Sequence, residues 1–573
     1  MRTGRTALVV LIAVTALAFA LRLSGLDKLL PHIEEADPGL IVQEQLMRAH
    51  VAPDPVAHKP YFAYPTLLAR CIAYLPPPAV APSTPASELL PAHLAAADSD
   101  FVRMRTWIAL LASMLVPLTW LLARRVLASV GAIAAAAFVA FSLLHLLFSQ
   151  QARPHGAHAT VALAAVLAQL ALLQRPNIAR FAIAALSCAL AVACLHTGIF
   201  TLTPLLVAWW LARREGRRLP WWLSVAALIP CAGAVWIFYP RAPLTEHEGA
   251  AVEVGGHTLY LDKVDGTGFR TVASVMWNYD PALFVLAGIG AVLAMMHWIR
   301  SRPLASERRD AALVMSAYAL PYLLAIGLFG ETVDRFLMPL VPYFALLAGY
   351  AVERAFGAVR RVALQALVLA AAFAFPGFVV ARYVAVRDAP DTFECAAAWV
   401  TGHVQPGQAR VLLSPRMVLP LFHDDAALTF TTGDATTRKK RAWISYQLEH
   451  FATPESSAAL ANSQRFGLFV APTRLVNQKD QAARDTVDAI LAQVEPSYVM
   501  VEKSKLMTIL PGVQALRDAV AARGELVETI RGESADECEV PPIDYQEIPD
   551  FVSRLLRARC FGPCIEIYRM NKR

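Results

Sequence analysis

Residues 6–39 read TALVVLIAVTALAFALRLSGLDKLLPHIEEADPG. The apolar run from Ala7 to Leu23 is long enough to cross a bilayer. No A-x-A cleavage pattern closes it, since Leu21-Arg22-Leu23 stands at its end, so it reads as an uncleaved first helix. Just beyond it, PHIEEADPG carries three carboxylates, Glu34, Glu35 and Asp37. Acids clustered at the exit of a membrane helix have three readings: a solvated loop, a partner for a cation, or chemistry at the membrane surface.

The rest of the chain sets that stretch in context. Of its 573 residues, 57% are hydrophobic and only 17% are charged, and the mean hydropathy is +0.46. Soluble chains are not built this way. Apolar runs mark eleven spans, at roughly 7–24, 106–123, 130–148, 157–174, 181–196, 198–212, 221–240, 281–299, 311–329, 337–352 and 362–381. With Met1 in the cytoplasm, the inside segments are MRTGR, ARRV, QRPNIAR, RREGRR, IRSRPLASERRD and ERAFGAVRR. Together they hold 17 Arg, no Lys and four acids, as the positive-inside rule requires. Shifting the count by one helix destroys that agreement. The net charge of +7 therefore reflects topology, and no nucleic-acid partner is expected. The acids, the 25–105 loop and everything after residue 382 fall outside.

The first outside loop is uneven. QEQLMRAH reads as an amphipathic helix, YFAYPTLLARCIAYL as an interfacial segment, and PPPAVAPSTPASELLPAH as a Pro-rich linker. From about Asp388 the composition changes. Strands are expected at ARVLLS, ALTFTT, FGLFVAP, SYVMVE and CIEIYRM, alternating with helices at DTFECAAAWVTGH and QAARDTVDAILAQV. The fold class is thus a polytopic α-helical membrane protein, residues 1–385, with a C-terminal extracytoplasmic α/β domain, residues 386–573. Cys395, Cys538, Cys560 and Cys564 lie in that domain, where an oxidising compartment permits two disulfides.

Absences narrow the chemistry. There is no Walker A motif, no GxGxxG after a strand, no HExxH and no G-x-S-x-G, which disfavours ATPases, Rossmann enzymes and the common hydrolases. No span carries an acid or a Lys, which disfavours a proton-coupled transporter. Polar groups gather instead at the outer helix ends. They are Glu34, Glu35 and Asp37 after the first span, Arg153, His155 and His158 after the third, and Glu331, Asp334 and Arg335 before the tenth. Sugar transfer from a lipid phosphate at the outer surface needs such groups. A carboxylate deprotonates the acceptor hydroxyl, and cations stabilise charge developing on the departing phosphate. Arginine suits the second task because its fork matches phosphate oxygens.

These acids followed by FAYPTL resemble the first-loop motif of GT-C fold membrane glycosyltransferases, the group of protein O-mannosyltransferases and lipid A aminoarabinose transferases. FSQQARPHGAHATVALAAVLA (148–168) is similar to the segment opening their fourth span, and DRFLMPLVPYFALLAG (334–349) to their "RYl-p-lP" helix. The order and common sidedness of the three motifs carry the resemblance, which covers residues 1–385.

The resemblance implies a polyprenyl-phosphate-linked sugar donor, inversion at the anomeric carbon and a first-loop carboxylate as general base. It makes Asp37 the first candidate, Glu35 the second and Glu34 the third, because this chain reads E-E-A-D where the family reads D-E. Arg153 and Arg335 match the family's arginines and are expected at the donor phosphate. Phe336 replaces the family's Tyr. Lys59, near the acids in sequence, is a further phosphate candidate. The acceptor is expected to be a lipid, glycan or protein hydroxyl, with membrane lipids as surroundings. No ligand cage for a metal is visible, and a divalent metal stays open because metal dependence varies among such enzymes. The expected location is the cytoplasmic (inner) membrane, with the N-terminus in the cytoplasm and the C-terminal domain outside. Competing readings remain. Asp37 before Pro38 suits a helix N-cap, Arg153 could snorkel to the interface, and Asp334 could simply pair with Arg335. His155 and His158 read as interfacial polar groups rather than metal ligands. A transporter or flippase of lipid-linked saccharides is the alternative function.

Overall fold

The computed structural model describes residues 2–32, 38–54, 58–75, 80, 84–214, 220–241, 251–254, 257–300, 306–359, 361–432, 442–451, 465–503, 510–533 and 550–571. The chain forms two compact units. The first holds Met1–Leu26, Asp37–Leu75 and Arg103–Ala381, and the second holds Asp27–Ala36, Pro76–Val102 and Arg382–Arg573.

The helices run in order α1 (Arg2–Leu23), α2 (Gly39–Arg48), α3 (Leu67–Ile72), α4 (Ala86–Ser113), α5 (Leu115–Ala123), α6 (Ser129–Ala140), α7 (Leu143–Ser149), α8 (His155–Gln174), α9 (Ile178–Cys194) and α10 (Leu202–Arg214). They continue with α11 (Leu223–Ala226), α12 (Leu228–Phe238), α13 (Gly268–Tyr279), α14 (Pro281–Arg300), α15 (Ser306–Leu328), α16 (Val341–Ala358) and α17 (Val362–Asp388). A hairpin of β1 (Ala251–Val254) and β2 (His257–Tyr260) precedes α13.

Among the described residues six stretches, 5–23, 87–123, 155–174, 307–328, 334–358 and 362–403, are long and apolar enough to cross a membrane. The bent pair α6 and α7, at 50° to each other, makes a seventh if it counts as one span, and 178–194, 223–238 and 281–297 are shorter apolar helices. The chain is a multi-pass helical membrane protein. Each expected span except 198–212 coincides with one of these stretches, so length and hydropathy alone do not reach the count of eleven. The exception is a 3-10 turn, His196–Thr201, leading into the 13-residue α10.

Membrane helices gain little from burying apolar groups against one another, so close backbone approach has to supply the contact. α6 and α16 achieve it with small residues. A Cβ at Gly349 would stand 2.5 Å from the Gly131 carbonyl and 3.1 Å from Ala135 Cβ. Glu353 of α16 adds a bond to the Ala128 amide at 2.8 Å.

The second unit is a six-stranded sheet with helices on both faces. Its strands are β3 (Arg410–Leu413), β4 (Phe422–His423), β5 (Arg465–Val470), β6 (Tyr498–Lys503), β7 (Gly524–Ile530) and β8 (Cys564–Met570), in spatial order β4-β5-β3-β6-β8-β7. The first four neighbours pair in parallel, while β8 runs antiparallel to β6 and to β7. Alternation sorts the side chains. Val411, Leu413, Leu468 and Met500 enter one core cluster, and Leu412, Phe469, Val499 and Val501 enter the other. The helices of this unit are α18 (Thr392–His403), α19 (Asp425–Thr432), α20 (Ala442–Phe451), α21 (Asp480–Val494), α22 (Pro511–Arg523) and α23 (Phe551–Arg557). α18 opens on a capping box. Asp391 accepts the amides of Phe393 and Glu394, and Glu394 accepts that of Asp391. The other oxygen of Asp391 meets His32 Nε2 at 2.7 Å, tying a first-loop residue into this unit.

Two local expectations need correction. ALTFTT is helix, not strand. Asp424 Oδ1 accepts the Ala427 amide at 2.7 Å, and Ala427, Leu428 and Thr431 are buried at helical spacing. β-branched content reflects a preference that a cap and tertiary contacts override. The linker reading of 76–93 also fails in part, because α4 begins at Ala86. Leu89, Leu90 and Leu94 pack against the sheet's core, and His93 Nδ1 lies 2.9 Å from the Tyr446 hydroxyl. Of the four outside cysteines, Cys564 is disulfide-bonded, whereas Cys395 and Cys560 are free and Cys538 lies outside the described residues.

Candidate functional site

His155, at the head of α8, is where distant segments of the first unit meet. It is buried. Its ring stacks on Phe336 with centroids 6.0 Å apart and meets Tyr64 edge-on at 6.0 Å. The charges of Arg335 and Arg153 act on it, and His158 and His196 are its other titratable neighbours. Tyr64 comes from FAYPTL, His155 from RPHGAH and Phe336 from DRF. Folding therefore gathers onto one imidazole the three stretches that carried the sequence resemblance.

Local structure fixes Tyr64. Gln43 of α2 donates through Nε2 to the carbonyls of Tyr61 and Tyr64, each at 2.7 Å. A Cβ at Gly39 would stand 2.8 Å from the Pro60 carbonyl and 3.0 Å from Tyr64 Cδ2, so only glycine lets α2 begin against this turn. Glu44 of α2 is buried and paired with Arg103 at 2.5 Å and Arg48 at 3.2 Å. It anchors the helix that follows the acids.

The charges of both arginines expected from sequence act on His155. Arg153 is 3% exposed, and among the described residues its Nε has no hydrogen-bond partner. A snorkelling arginine would carry its head into water; this guanidinium is buried instead. Arg335 donates its backbone amide to Asp334 Oδ1 at 2.9 Å, and its guanidinium lies 5.6 Å from the Phe336 ring centroid. Tyr279 donates to the other Asp334 oxygen at 3.2 Å. Lys59 is exposed at the start of the 3-10 turn Lys59–Ala63. Glu34, Glu35 and Asp37 lie outside the described residues, which resume at Pro38.

A second polar layer backs the first. His158 Nε2 lies 3.2 Å from the Thr197 hydroxyl, and Tyr322 donates to the Phe336 carbonyl at 2.9 Å. His155 and His158 are therefore interior groups, not interfacial ones as expected, because the helices close over them. The Nδ1 atoms of both rings, like Arg153 Nε, are buried without a hydrogen-bond partner among the described residues. Native interiors seldom leave such atoms unpaired unless a ligand, ion or water meets them. Among the described residues no group of three or more His, Cys, Asp or Glu could hold a metal ion.

No family model matches the chain, and no curated protein is similar to it. Solved structures are. One is the archaeal oligosaccharyltransferase AglB from Archaeoglobus fulgidus in complex with an inhibitory peptide and a dolichol-phosphate (TM-score 0.46, 11% identity, 91% of this chain and 73% of that one). Another is ArnT from Cupriavidus metallidurans bound to undecaprenyl phosphate (TM-score 0.43, 14% identity, 90% of this chain and 96% of that one).

Sequence reasoning missed Tyr64 and the central place of His155. One signal was available: His155 and His158 are three residues apart on one face of a helix that opens an apolar span. Chemically, two guanidinium groups whose charges act on a buried, stacked imidazole suit an oxyanion such as a phosphate.

Proposed function

We propose that the chain is an inverting glycosyltransferase that moves a sugar from a polyprenyl-phosphate donor to a hydroxyl of a lipid, glycan or protein acceptor at the outer face of the cytoplasmic membrane. The observation that carries this reading is that the charges of Arg153 and Arg335 act on buried His155, while Arg153 Nε and His155 Nδ1, without a hydrogen-bond partner among the described residues, are nitrogens that a phosphate would satisfy. Asp37 precedes Gly39 by two residues in the sequence, and Gly39 abuts Tyr64. Asp37, or else Glu35 four residues from Gly39, removes the acceptor's proton. The freed oxygen attacks the anomeric carbon from the face opposite the phosphate. The carbon–oxygen bond to phosphate breaks, and Arg153 and Arg335 hold the departing dianion while His155 orients it.

A lipid-linked saccharide flippase is the second reading, and the broken third span favours it, since transporters build substrate sites at discontinuous helices. One experiment separates the two. Purified protein in nanodiscs is given a panel of polyprenyl-phosphate sugars and acceptors, and both sugar release and lipid translocation are followed. Transfer that Asp37→Asn or Glu35→Gln abolishes supports the glycosyltransferase. Full transfer by both variants sinks the base assignment, and translocation without glycosidic cleavage sinks the enzyme reading.

A further inference from the structure

The break in the third span lies at Phe141–Ser142, between α6 and α7. A broken helix exposes carbonyls at the end of its first half and amides at the start of its second, and inside a membrane protein these need partners. Both sets are met by buried charges of opposite sign. Arg22, near the end of α1 and fully buried, donates from Nη2 to the Val139 carbonyl at 2.9 Å and from Nη1 to the Ala140 carbonyl at 3.4 Å. Its Nη2 also lies 2.8 Å from His145 Nδ1, and its Nη1 reaches the Ala18 carbonyl at 3.2 Å. On the other side, Asp280, at the corner between α13 and α14, accepts the Leu143 amide at 2.7 Å and the Ser142 hydroxyl at 2.6 Å. Ser142 in turn caps α7 by accepting the His145 amide at 3.2 Å. A cation thus sits on the carbonyl end of α6 and a carboxylate on the amide end of α7, each matched to the dipole it faces.

α7 leads straight to the site. At its end Gln150 turns back and donates through Nε2 to the carbonyls of Leu21 at 3.0 Å and Ser24 at 2.9 Å. Those carbonyls close α1, from which the acid-bearing loop departs. Arg153 follows Gln150 by three residues and His155 by five.

We propose that Arg22 and Asp280 lock the broken third span, and that this lock, acting through Gln150, positions Arg153 and His155 against the exit of α1. They are positioning residues, since neither touches the anion site. The positioning part rests on the donor-phosphate reading above; the lock itself does not.

The test uses the full chain in nanodiscs and two readouts. Hydrogen exchange in peptides covering 141–155 reads the lock, and affinity for undecaprenyl phosphate reads its consequence. Asp280→Ala is expected to speed exchange at the start of α7 roughly tenfold, the scale of a lost helix cap, with peptides of 484–520 unchanged. Asp280→Asn keeps one acceptor and should fall between Ala and wild type, which a merely volumetric role would not produce. Arg22→Lys, which keeps the cation if Asp280→Ala does not fold, should loosen the same peptides less than Arg22→Met. Undecaprenyl phosphate binding should weaken in step with exchange. Unchanged exchange across 141–155 in the folded variants overturns the lock. Loosened exchange with wild-type affinity, while Arg153→Met does lose affinity, overturns the positioning role. Should Arg153→Met itself bind normally, the donor reading fails, and the exchange data still decide the lock.

Discussion

Replacing Arg153 by Met separates function from stability. The guanidinium is 3% exposed, and its Nε has no hydrogen-bond partner among the described residues. A buried polar atom left unsatisfied costs about 1–3 kcal/mol. Methionine fills similar space without that cost. In the ligand-free protein the substitution should therefore leave the thermal midpoint unchanged or raise it. Binding should move the other way. Each charge-assisted hydrogen bond to a phosphate is worth about 1.5–3 kcal/mol, so losing one weakens undecaprenyl phosphate binding roughly 10- to 150-fold. Arg153→Lys should recover part of the affinity, because it restores the charge but not the planar fork. Purified protein in nanodiscs is titrated with undecaprenyl phosphate, and thermal unfolding is recorded with and without the lipid. The reasoning fails if Arg153→Met lowers the ligand-free midpoint by several degrees while affinity holds. That result would make Arg153 a structural tie.

Further outcomes are expected. Gly39→Val should cut transfer strongly while the protein still inserts and folds, because its side chain would meet the Pro60 carbonyl at 2.8 Å and push α2 away from Tyr64; turnover against expression level checks this, and full activity would detach the first loop from the site. Gly349→Leu should destabilise the first unit by forcing α16 off Gly131 and Ala135, read as a lower thermal midpoint. The second unit should lose stability in acid in two stages. Burial holds the His423 imidazole down at about 4 against 6.5. Its depressed folded value leaves stability full above 6.5 and lost as pH falls toward about 4. Burial by itself would raise the Glu566 carboxyl, but bonds from Arg517, Tyr568 and Lys503 outweigh it and hold it below the usual range. That contribution is present above the ordinary carboxylate value and lost only at lower pH. Exchange in peptides of 419–428 across pH, in wild type and His423→Phe, checks the first stage; an unaltered profile in the variant would remove His423 from it.

The sequence by itself determined the membrane class, because bilayer thickness demands long apolar runs and the charge bias of loops follows from insertion. It also located the α/β character of the C-terminal region, since β3, β5 and β6 hold apolar runs of the kind buried on both faces. The arginines were legible as candidates because a cation at a helix end is conspicuous against an apolar background. What only the tertiary structure decided was convergence. Nothing in local sequence says that Tyr64, His155 and Phe336, spread over nearly half the chain, share one ring cluster. Nor does it say that α6 stops at Ala140 within an apolar run that reads as one span. The break exists because Arg22 and Asp280, more than a hundred residues away on either side, supply the hydrogen bonds an intact helix would have made for itself. Periodicity registers what a segment prefers alone. A buried charge arriving from elsewhere changes that preference, and only the folded chain brings it there.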